Sequence, residues 1–275
     1  MMLSVNGPVI LAGAGKMGAA MLSGWLARGL DPKLIIIQDP NLSGDAADLA
    51  QRHHLRTEPS LARLDQPPAV IVVAVKPQLI DAVLGSLAAL AGADTVMLSI
   101  AAGKSLASFD RYLPAGAAVV RAMPNTPASL GRGITGAITN THVTAAQKAL
   151  CHELLSAVGE VVWLTDETLI DAVTAVSGSG PAYVFLLVET LAEAGRRAGL
   201  DGEMAMRLAR ATVSGAGELL FRSDADAATL RRNVTSPGGT TAAALAVLMR
   251  EKDGLQTLMS DAVLAAHKRS RELGQ

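Results

Sequence analysis

Two segments of this chain have the residue types and spacing to bind anions through the backbone. The first is Gly13-Ala14-Gly15-Lys16-Met17-Gly18, directly after the apolar run Val9-Ile10-Leu11-Ala12 and directly before a helical stretch over residues 17–28 that Gly29 ends. A lone G-x-G-x-x-G is a weak signal, but between a strand and a helix it has a mechanism. Gly13 permits the tight turn, Gly15 lets the backbone approach a pyrophosphate, and Gly18 allows the helix to pack on the strand. The free N–H groups of the first helical turn then meet the anion. Asp39 lies about 20 residues past the last glycine, where an acid accepts ribose hydroxyls. It also precedes Pro40, so a turn aspartate is the plain alternative. An acid pointing at the ribose repels a 2′-phosphate, and no arginine immediately follows, so the residues lean towards NADH.

Two further strand ends point to the same place, because ligands of doubly wound sheets lie beyond the carboxyl ends of the strands. One is Ala74-Val75-Lys76-Pro77 and the other Ile100-Ala101-Ala102. Lys76 is suited to a cofactor phosphate or ribose, or else is a solvated lysine at a strand end.

The second anion candidate is Ser236-Pro237-Gly238-Gly239-Thr240-Thr241, opening a helix expected over residues 240–250. The glycines leave the backbone clear, and the N–H groups of Gly239, Thr240 and Thr241 are expected to be free for a carboxylate. Ser236 and Thr241 add hydroxyls. A capped helix start is the bland reading of the same residues.

Other reactive side chains carry less. His53, His54, His142, His152 and His267 have no acidic or cysteine partners at ligand spacing, so no metal site is expected. Cys151 sits in a helical stretch without a nucleophile context and reads as a packed thiol. Asn125, between two prolines, is expected in a turn. Asp224 reads as a helix N-cap. Residues 177–181, Ser-Gly-Ser-Gly-Pro, are expected to break one helix, start the next and line the site.

The elements that position these residues follow from hydrophobic pattern. Continuous β-branched runs at residues 9–12, 34–37, 69–75 and 95–100 alternate with helical stretches at 17–28, 44–53 and 79–90. Further strands are expected at 117–123, 133–138 and 161–164, with a helix at 144–158. Uninterrupted apolar strands separated by helices indicate a parallel sheet covered on both faces. After residue 166 strand signals vanish, and long helices are expected at 181–198, 203–221 and 253–273. The expected domains are therefore residues 1–165, binding a dinucleotide, and 166–275, all-helical.

Composition limits the remaining options. In 275 residues, 24 Lys+Arg against 25 Asp+Glu leave a net charge of −1, which excludes nucleic acid as an electrostatic partner. Hydrophobic residues make up 50% and aromatic ones only 3%, so a large aliphatic core is available. The mean hydropathy of +0.33 makes a membrane worth testing. The longest charge-free apolar run, between Asp171 and Glu189, is interrupted by the Ser-Gly-Ser-Gly-Pro segment, so no span is expected. No secretory start is visible, and a single cysteine fits a reducing cytoplasm.

At this point the chain resembles the pyrroline-5-carboxylate reductases. The resemblance rests on AGAGKMG (12–18), AVKPQ (74–78), SIAAG (99–103), RAMPNTP (121–127), AVSGSGPAYVF (175–185) and VTSPGGTT (234–241). It implies a Rossmann-type domain followed by a helical domain that interlocks with a second subunit, and reduction of 1-pyrroline-5-carboxylate to L-proline, the last step of proline biosynthesis. It further implies that Gly13, Ala14, Gly15, Lys16, Met17, Gly18, Ala74, Val75, Lys76, Pro77, Ile100, Ala101 and Ala102 hold the cofactor, with Asn233 nearby. Thr240 and Thr241 would hold the substrate, with its ring nitrogen near the Thr241 hydroxyl. Family members often use NADPH, and Asp39 departs from the small polar or basic residues that favour it. A homodimer at least is expected, with a higher oligomer of dimers as a further option. A protonated cyclic imine accepts hydride without a strong enzyme acid, so a hydroxyl that orients it suits the chemistry.

Two other readings compete. A hydroxyacid dehydrogenase of similar layout would carry a catalytic lysine in the first long helix of the second domain, and residues 171–189 contain none. A non-catalytic dinucleotide sensor would need no second anion site.

Overall fold

The computed structural model describes residues 3–274. Eight strands form one sheet in the order β3-β2-β1-β4-β5-β6-β7-β8: β1 (Val9–Ala12), β2 (Ile35–Gln38), β3 (Arg56–Glu58), β4 (Val70–Val73), β5 (Val96–Ser99), β6 (Ala118–Met123), β7 (Gly133–Thr139) and β8 (Gly159–Trp163). All pairings are parallel except β6 with β7. The order reverses between β1 and β4, which makes that crevice the topological switch point of a doubly wound sheet.

The apolar runs are continuous because both faces of each central strand are covered. Val9 and Leu11 face one core with Val70 and Val72, while Ile10 and Ala12 face the other with Ile71 and Val73. The first core is closed by α1 (Lys16–Ala27), α2 (Gly44–Arg52) and α5 (Ala145–Ser156), through Met21, Leu22, Trp25, Ala46 and Leu154. The second is closed by α3 (Ile80–Ala88) and α4 (Leu106–Phe109), through Ile80, Leu84, Leu87 and Phe109. Each fully buried aliphatic side chain contributes about 1.5–3 kcal/mol. Trp25 is buried with its indole N–H donating to the Leu154 carbonyl at 2.9 Å, which ties α1 to α5.

Three departures from the expected pattern have physical causes. Strand β3 was not expected: Arg56-Thr57-Glu58 is a three-residue edge strand with exposed or half-buried side chains, so no apolar run marks it. Asp224 is not an N-cap; Asp226 caps α9 (Ala227–Asn233) by accepting the Thr229 N–H at 2.7 Å. Nor does the Ser-Gly-Ser-Gly-Pro segment break the helix. Residues from α6 (Leu169–Val173) pass through a π-helical turn (Thr174–Gly178) into α7 (Gly180–Arg197). The wide turn survives because Thr174 Oγ1 and Ser177 Oγ donate to the carbonyls of Ile170 and Val173, and Pro181 falls in a first turn, where its missing N–H is not needed. The stretch Leu169–Arg197 is consequently long and apolar enough, by length and composition, to cross a membrane. The expectation of no span rested on an interruption that the fold does not have.

The chain forms two compact units, residues 1–178 with 267–275, and residues 179–266. Residue 165 thus falls inside the first unit, because α6 and the π turn pack with the sheet: Val173 fills the space beside Gly136 of β7, and Met123 of β6 reaches Gly178. Helix α11 (Leu255–Leu273) starts in the second unit and ends in the first. Its last turns are held there by Ser270 Oγ donating to Asp171 at 2.6 Å and by the Leu273 carbonyl against Gly103.

The second unit pairs α7 with α8 (Gly202–Arg222), where Ala192, Ala205 and Ala209 are buried and Gly195 lets the helices approach. Outside that seam many of its apolar side chains are exposed, among them Phe185 (63%), Leu220 (50%) and Leu264 (65%). An apolar groove of about 540 Å³ runs between α7 and α8, lined by Val184, Phe185, Val188, Met206 and Val213.

Candidate active site

The glycine loop after β1 lies at the switch point, and each glycine has a different reason to be there. Gly13 has φ +89°, and a Cβ on it would sit 2.8 Å from the Ala74 carbonyl carbon and the Val75 nitrogen. The loop therefore presses backbone to backbone on the end of β4, which brings Ala74 and Val75 into the site. Gly18, in the first turn of α1, would drive a Cβ into the Gly13 carbonyl oxygen. Gly15 is the opposite case, with no atom within 4 Å of a Cβ built on it.

Open space at Gly15 faces the start of α1, which has no side-chain cap. The N–H groups of Lys16, Met17 and Gly18 have no acceptor within the helix. This arrangement fits the pyrophosphate of a dinucleotide: a backbone cradle, a helix N-terminus, and room where a side chain would intrude.

Asp39 follows β2 and is half-buried. Its Oδ2 accepts the Ala14 N–H at 2.8 Å and its Oδ1 accepts the Asn41 N–H at 2.8 Å. The turn reading of this aspartate is thus present, and the same side chain also holds the glycine loop. The Ala14 N–H is accordingly engaged before any ligand arrives.

Ile100, Ala101 and Ala102 continue from β5, with the Ile100 N–H donating to the Val73 carbonyl at 3.0 Å, so they lie next to the end of β4. The loop they enter is tied on three sides. Gly103, at φ +75°, has the Leu273 carbonyl oxygen 3.1 Å from the position of a Cβ. Lys104 pairs with Asp81 of α3 at 2.8 Å, and this hydrogen bond holds the Asp81 carboxyl below its ordinary range. The Leu106 N–H donates to Glu167 Oε1 at 2.8 Å. Lys76 is exposed, directly ahead of the 3-10 turn Pro77–Leu79.

Sequence reasoning missed Glu167. The same oxygen that accepts the Leu106 N–H receives Arg121 Nη1 from β6 at 2.6 Å, with Arg121 only 9% exposed. Forty-six positions separate the two residues, and an arginine inside an apolar strand was the one available signal. Asn125 is held in a turn as expected: its Nδ2 donates to the Ser177 carbonyl and its Oδ1 accepts the Ile134 N–H. Cys151 is buried, and burial pushes its thiol up to about 12. Among the described residues no group of His, Cys, Asp and Glu is placed to hold a metal ion.

Asn233, Ser236, Gly239, Thr240 and Thr241 belong to the second unit. Asn233 ends α9. The Gly239 N–H is not free, which corrects the expectation above: it donates to the Ser236 carbonyl at 3.0 Å. Pro237 and Gly238, the latter at φ +68°, give the type II turn that closes this bond. The free donors at the start of α10 (Thr240–Leu248) are instead those of Thr240, Thr241 and Ala242, with no side-chain cap competing. Ser236 and Thr240 are exposed and Thr241 half-buried.

A doubly wound sheet with this glycine loop at its switch point, followed by a helical unit, defines the class of NAD(P)-dependent oxidoreductases. Two family profiles match separate parts of the chain. One described as "NADP oxidoreductase coenzyme F420-dependent" matches residues 9–103, and one described as "Pyrroline-5-carboxylate reductase dimerisation" matches residues 167–273. The pyrroline-5-carboxylate reductase of Pseudomonas aeruginosa is 42% identical over 97% of this chain and 97% of its own. The structure of that enzyme from Coxiella burnetii superposes with a TM-score of 0.90 at 35% identity, over 98% of this chain and 100% of the other. The Plasmodium falciparum structure, solved with NADP bound, gives 0.81 at 28% identity, with both chains fully covered. The chain belongs to the pyrroline-5-carboxylate reductase family.

Proposed function

We propose that this chain reduces 1-pyrroline-5-carboxylate to L-proline, the last step of proline biosynthesis. The observation that carries the proposal is 42% identity to a named reductase of that type over 97% of the chain, and the uncapped helix starts at Lys16 and Thr240 support it. NAD(P)H supplies the hydride, which adds to the carbon of the C=N bond; the nitrogen of the protonated imine takes up the electron pair of the bond and becomes the amine of proline. Residues 13–18 would bind the pyrophosphate on the N–H groups of Lys16, Met17 and Gly18. Ala74, Val75, Lys76, Pro77, Ile100, Ala101, Ala102 and Asn233 would border the cofactor, and Asp39 its ribose.

On the substrate side, the N–H groups of Thr240 and Thr241 would receive the carboxylate, with Ser236 and Gly239 shaping the turn that presents them. Thr241 is assigned to orienting the ring nitrogen through its hydroxyl, a positioning contribution suited to an imine that arrives protonated. The exposed apolar faces of α7 and α8 are assigned to a homodimer, or a higher oligomer of dimers, rather than to lipid. Charged residues such as Glu189, Glu193, Arg196 and Arg197 on α7 support that choice. A cytoplasmic location fits a single buried thiol.

The test is oxidation of NADH and of NADPH, followed at 340 nm in parallel, on adding 1-pyrroline-5-carboxylate. Formation of proline with one equivalent of nucleotide oxidised is expected. No oxidation of either nucleotide would overturn the proposal.

A further inference from the structure

We infer that Glu167 is a positioning residue of the cofactor side: by accepting the Leu106 N–H it fixes the turn that carries Ala101 and Ala102, and nucleotide affinity depends on that hydrogen bond. The inference rests on the reductase reading above, in which Ile100, Ala101 and Ala102 border the cofactor.

The turn leaves the sheet at the carboxyl end of β5 and has to be held at both ends. Upstream, the Ile100 N–H donates to the Val73 carbonyl at 3.0 Å and the Ala101 N–H to Ser99 Oγ at 3.4 Å. Ala102 then stands exposed at the bend, beside Gly103 at φ +75°. Downstream the chain enters α4, whose Ser105 cap accepts the Ser108 N–H. The Leu106 N–H is a first-turn donor with no acceptor in its own helix. Glu167 Oε1 receives it at 2.8 Å.

Glu167 is itself fixed before it meets Leu106. Asp166 Oδ1 accepts both the N–H and the hydroxyl of Thr168 at 2.8 Å, and the Glu167 carbonyl accepts the Ile170 N–H at 3.0 Å. Arg121 grips the same Oε1 from β6, where it pairs in register with Ser99 of β5. The two ends of the turn are thereby referred to adjacent strands. Of the other ties, Lys104–Asp81 is a surface pair, with the Asp81 side chain 57% exposed, and such pairs contribute little. The Leu273 carbonyl sets a steric limit beside Gly103. The Glu167 bond is charge-assisted and holds the backbone of the loop itself, which makes it the stronger restraint.

Three variants separate this role from the ion pair. Glu167→Ala removes the acceptor and the charge. Glu167→Gln gives up the charge but keeps one oxygen for both donors. Leu106→Pro deletes the N–H and leaves Glu167 paired with Arg121, at a first helical position that proline suits. Leu106→Ala, which keeps the N–H, controls for the lost side chain. Each is titrated calorimetrically with NADH and with NADPH in the absence of imine, then assayed by steady-state kinetics. The dissociation constant of the tighter nucleotide is expected to rise about fivefold to tenfold in Glu167→Ala and Leu106→Pro. In Glu167→Gln and Leu106→Ala it should stay within about threefold of wild type. The nucleotide KM should follow the dissociation constant, while kcat and the imine KM move less than about threefold. Wild-type affinity in Leu106→Pro, or an equal loss in Glu167→Gln and Glu167→Ala or in Leu106→Ala and Leu106→Pro, overturns the inference and leaves the reductase proposal standing. A shift confined to kcat or to the imine KM overturns it as well. Should Glu167→Ala show no native melting transition, the two Leu106 variants decide. A wild type that binds neither nucleotide overturns the inference together with the reading beneath it.

Discussion

Arg121 and Glu167 form an ion pair, Nη1 to Oε1 at 2.6 Å, in which the same carboxylate oxygen also accepts the Leu106 N–H. One side chain thus joins the last strand of the parallel run, the loop after β5 and the start of α6. Removing it by Glu167→Ala leaves a guanidinium whose side chain is 11% exposed without its partner. The expected cost is about 2–3 kcal/mol, somewhat below the ~3–5 kcal/mol of a fully buried pair. Urea denaturation measures it, and a cost under 0.5 kcal/mol would show, by the standard of a surface substitution, that the pair is ornamental.

Gly13 and Gly15 separate folding from binding. Gly13→Ala combines a positive φ with overlap against the Ala74–Val75 backbone, so a loss on the order of 2 kcal/mol or more is expected. Gly15→Ala meets nothing, and its stability is expected within about 0.5 kcal/mol of wild type. Its methyl instead occupies the nucleotide's approach, and dissociation constants for NADH and NADPH are expected to rise on the order of tenfold or more. Thermal melts paired with titration distinguish the two variants.

Thr241→Val is expected to fold normally, because the residue is half-buried in the first turn of α10 and caps nothing. Turnover and affinity for the imine are expected to fall roughly fivefold to twentyfold, the worth of one or two hydrogen bonds. Thr241→Ser should recover most of the loss. Wild-type kinetics in Thr241→Val would remove the residue from the site.

Cys151 is expected to be inert in the folded protein. Burial raises its thiol from an ordinary 9.0 to about 12, so at pH 8 Ellman's reagent should titrate no thiol until denaturant is added, and then one per chain. The linkage has a definite sign. The unfolded chain loses this proton near pH 9 while the folded chain keeps it, so the stabilisation is complete below that pH and declines as pH rises towards 12. Cys151→Ala should lack this part of the alkaline slope.

Phe185→Glu places a charge on a side chain that is 63% exposed in one chain, so the single chain should retain its helical signal. In sedimentation velocity the wild type is expected as a dimer or larger, and the variant as a species at least about thirtyfold easier to dissociate, since an aromatic anchor of an interface carries about 2 kcal/mol or more. A wild type that is monomeric at all concentrations would end the dimer proposal.

Much of this molecule is legible along the chain because its signals are local. The runs at β1, β2, β4 and β5 are almost wholly apolar since both faces are buried, and the glycine spacing after β1 marks the turn into α1, where Gly18 closes on Gly13. The short edge strand β3 left no such trace, as its side chains face solvent and its pairing uses backbone alone. The segment at residues 177–181 misled for a related reason. Glycine, serine and proline argue for a break by propensity, and here hydroxyl-to-carbonyl bonds at Thr174 and Ser177 compensate within a π turn.

Fold class, the position of the glycine loop and the helix starts at Lys16 and Thr240 were therefore written in the order and type of residues. The pairing of Arg121 with Glu167, the return of residues 267–274 to the first unit, and the hold of Asp39 on Ala14 came only with the folded chain. Each of these depends on residues between 25 and about 170 positions apart, brought within hydrogen-bond or van der Waals reach by the packing of the sheet and its helices. Short-range pattern specifies which backbone conformation each segment takes, but the partner of a polar group is chosen by whichever distant donor or acceptor the packed chain delivers, because a buried group left unpaired is too costly to persist.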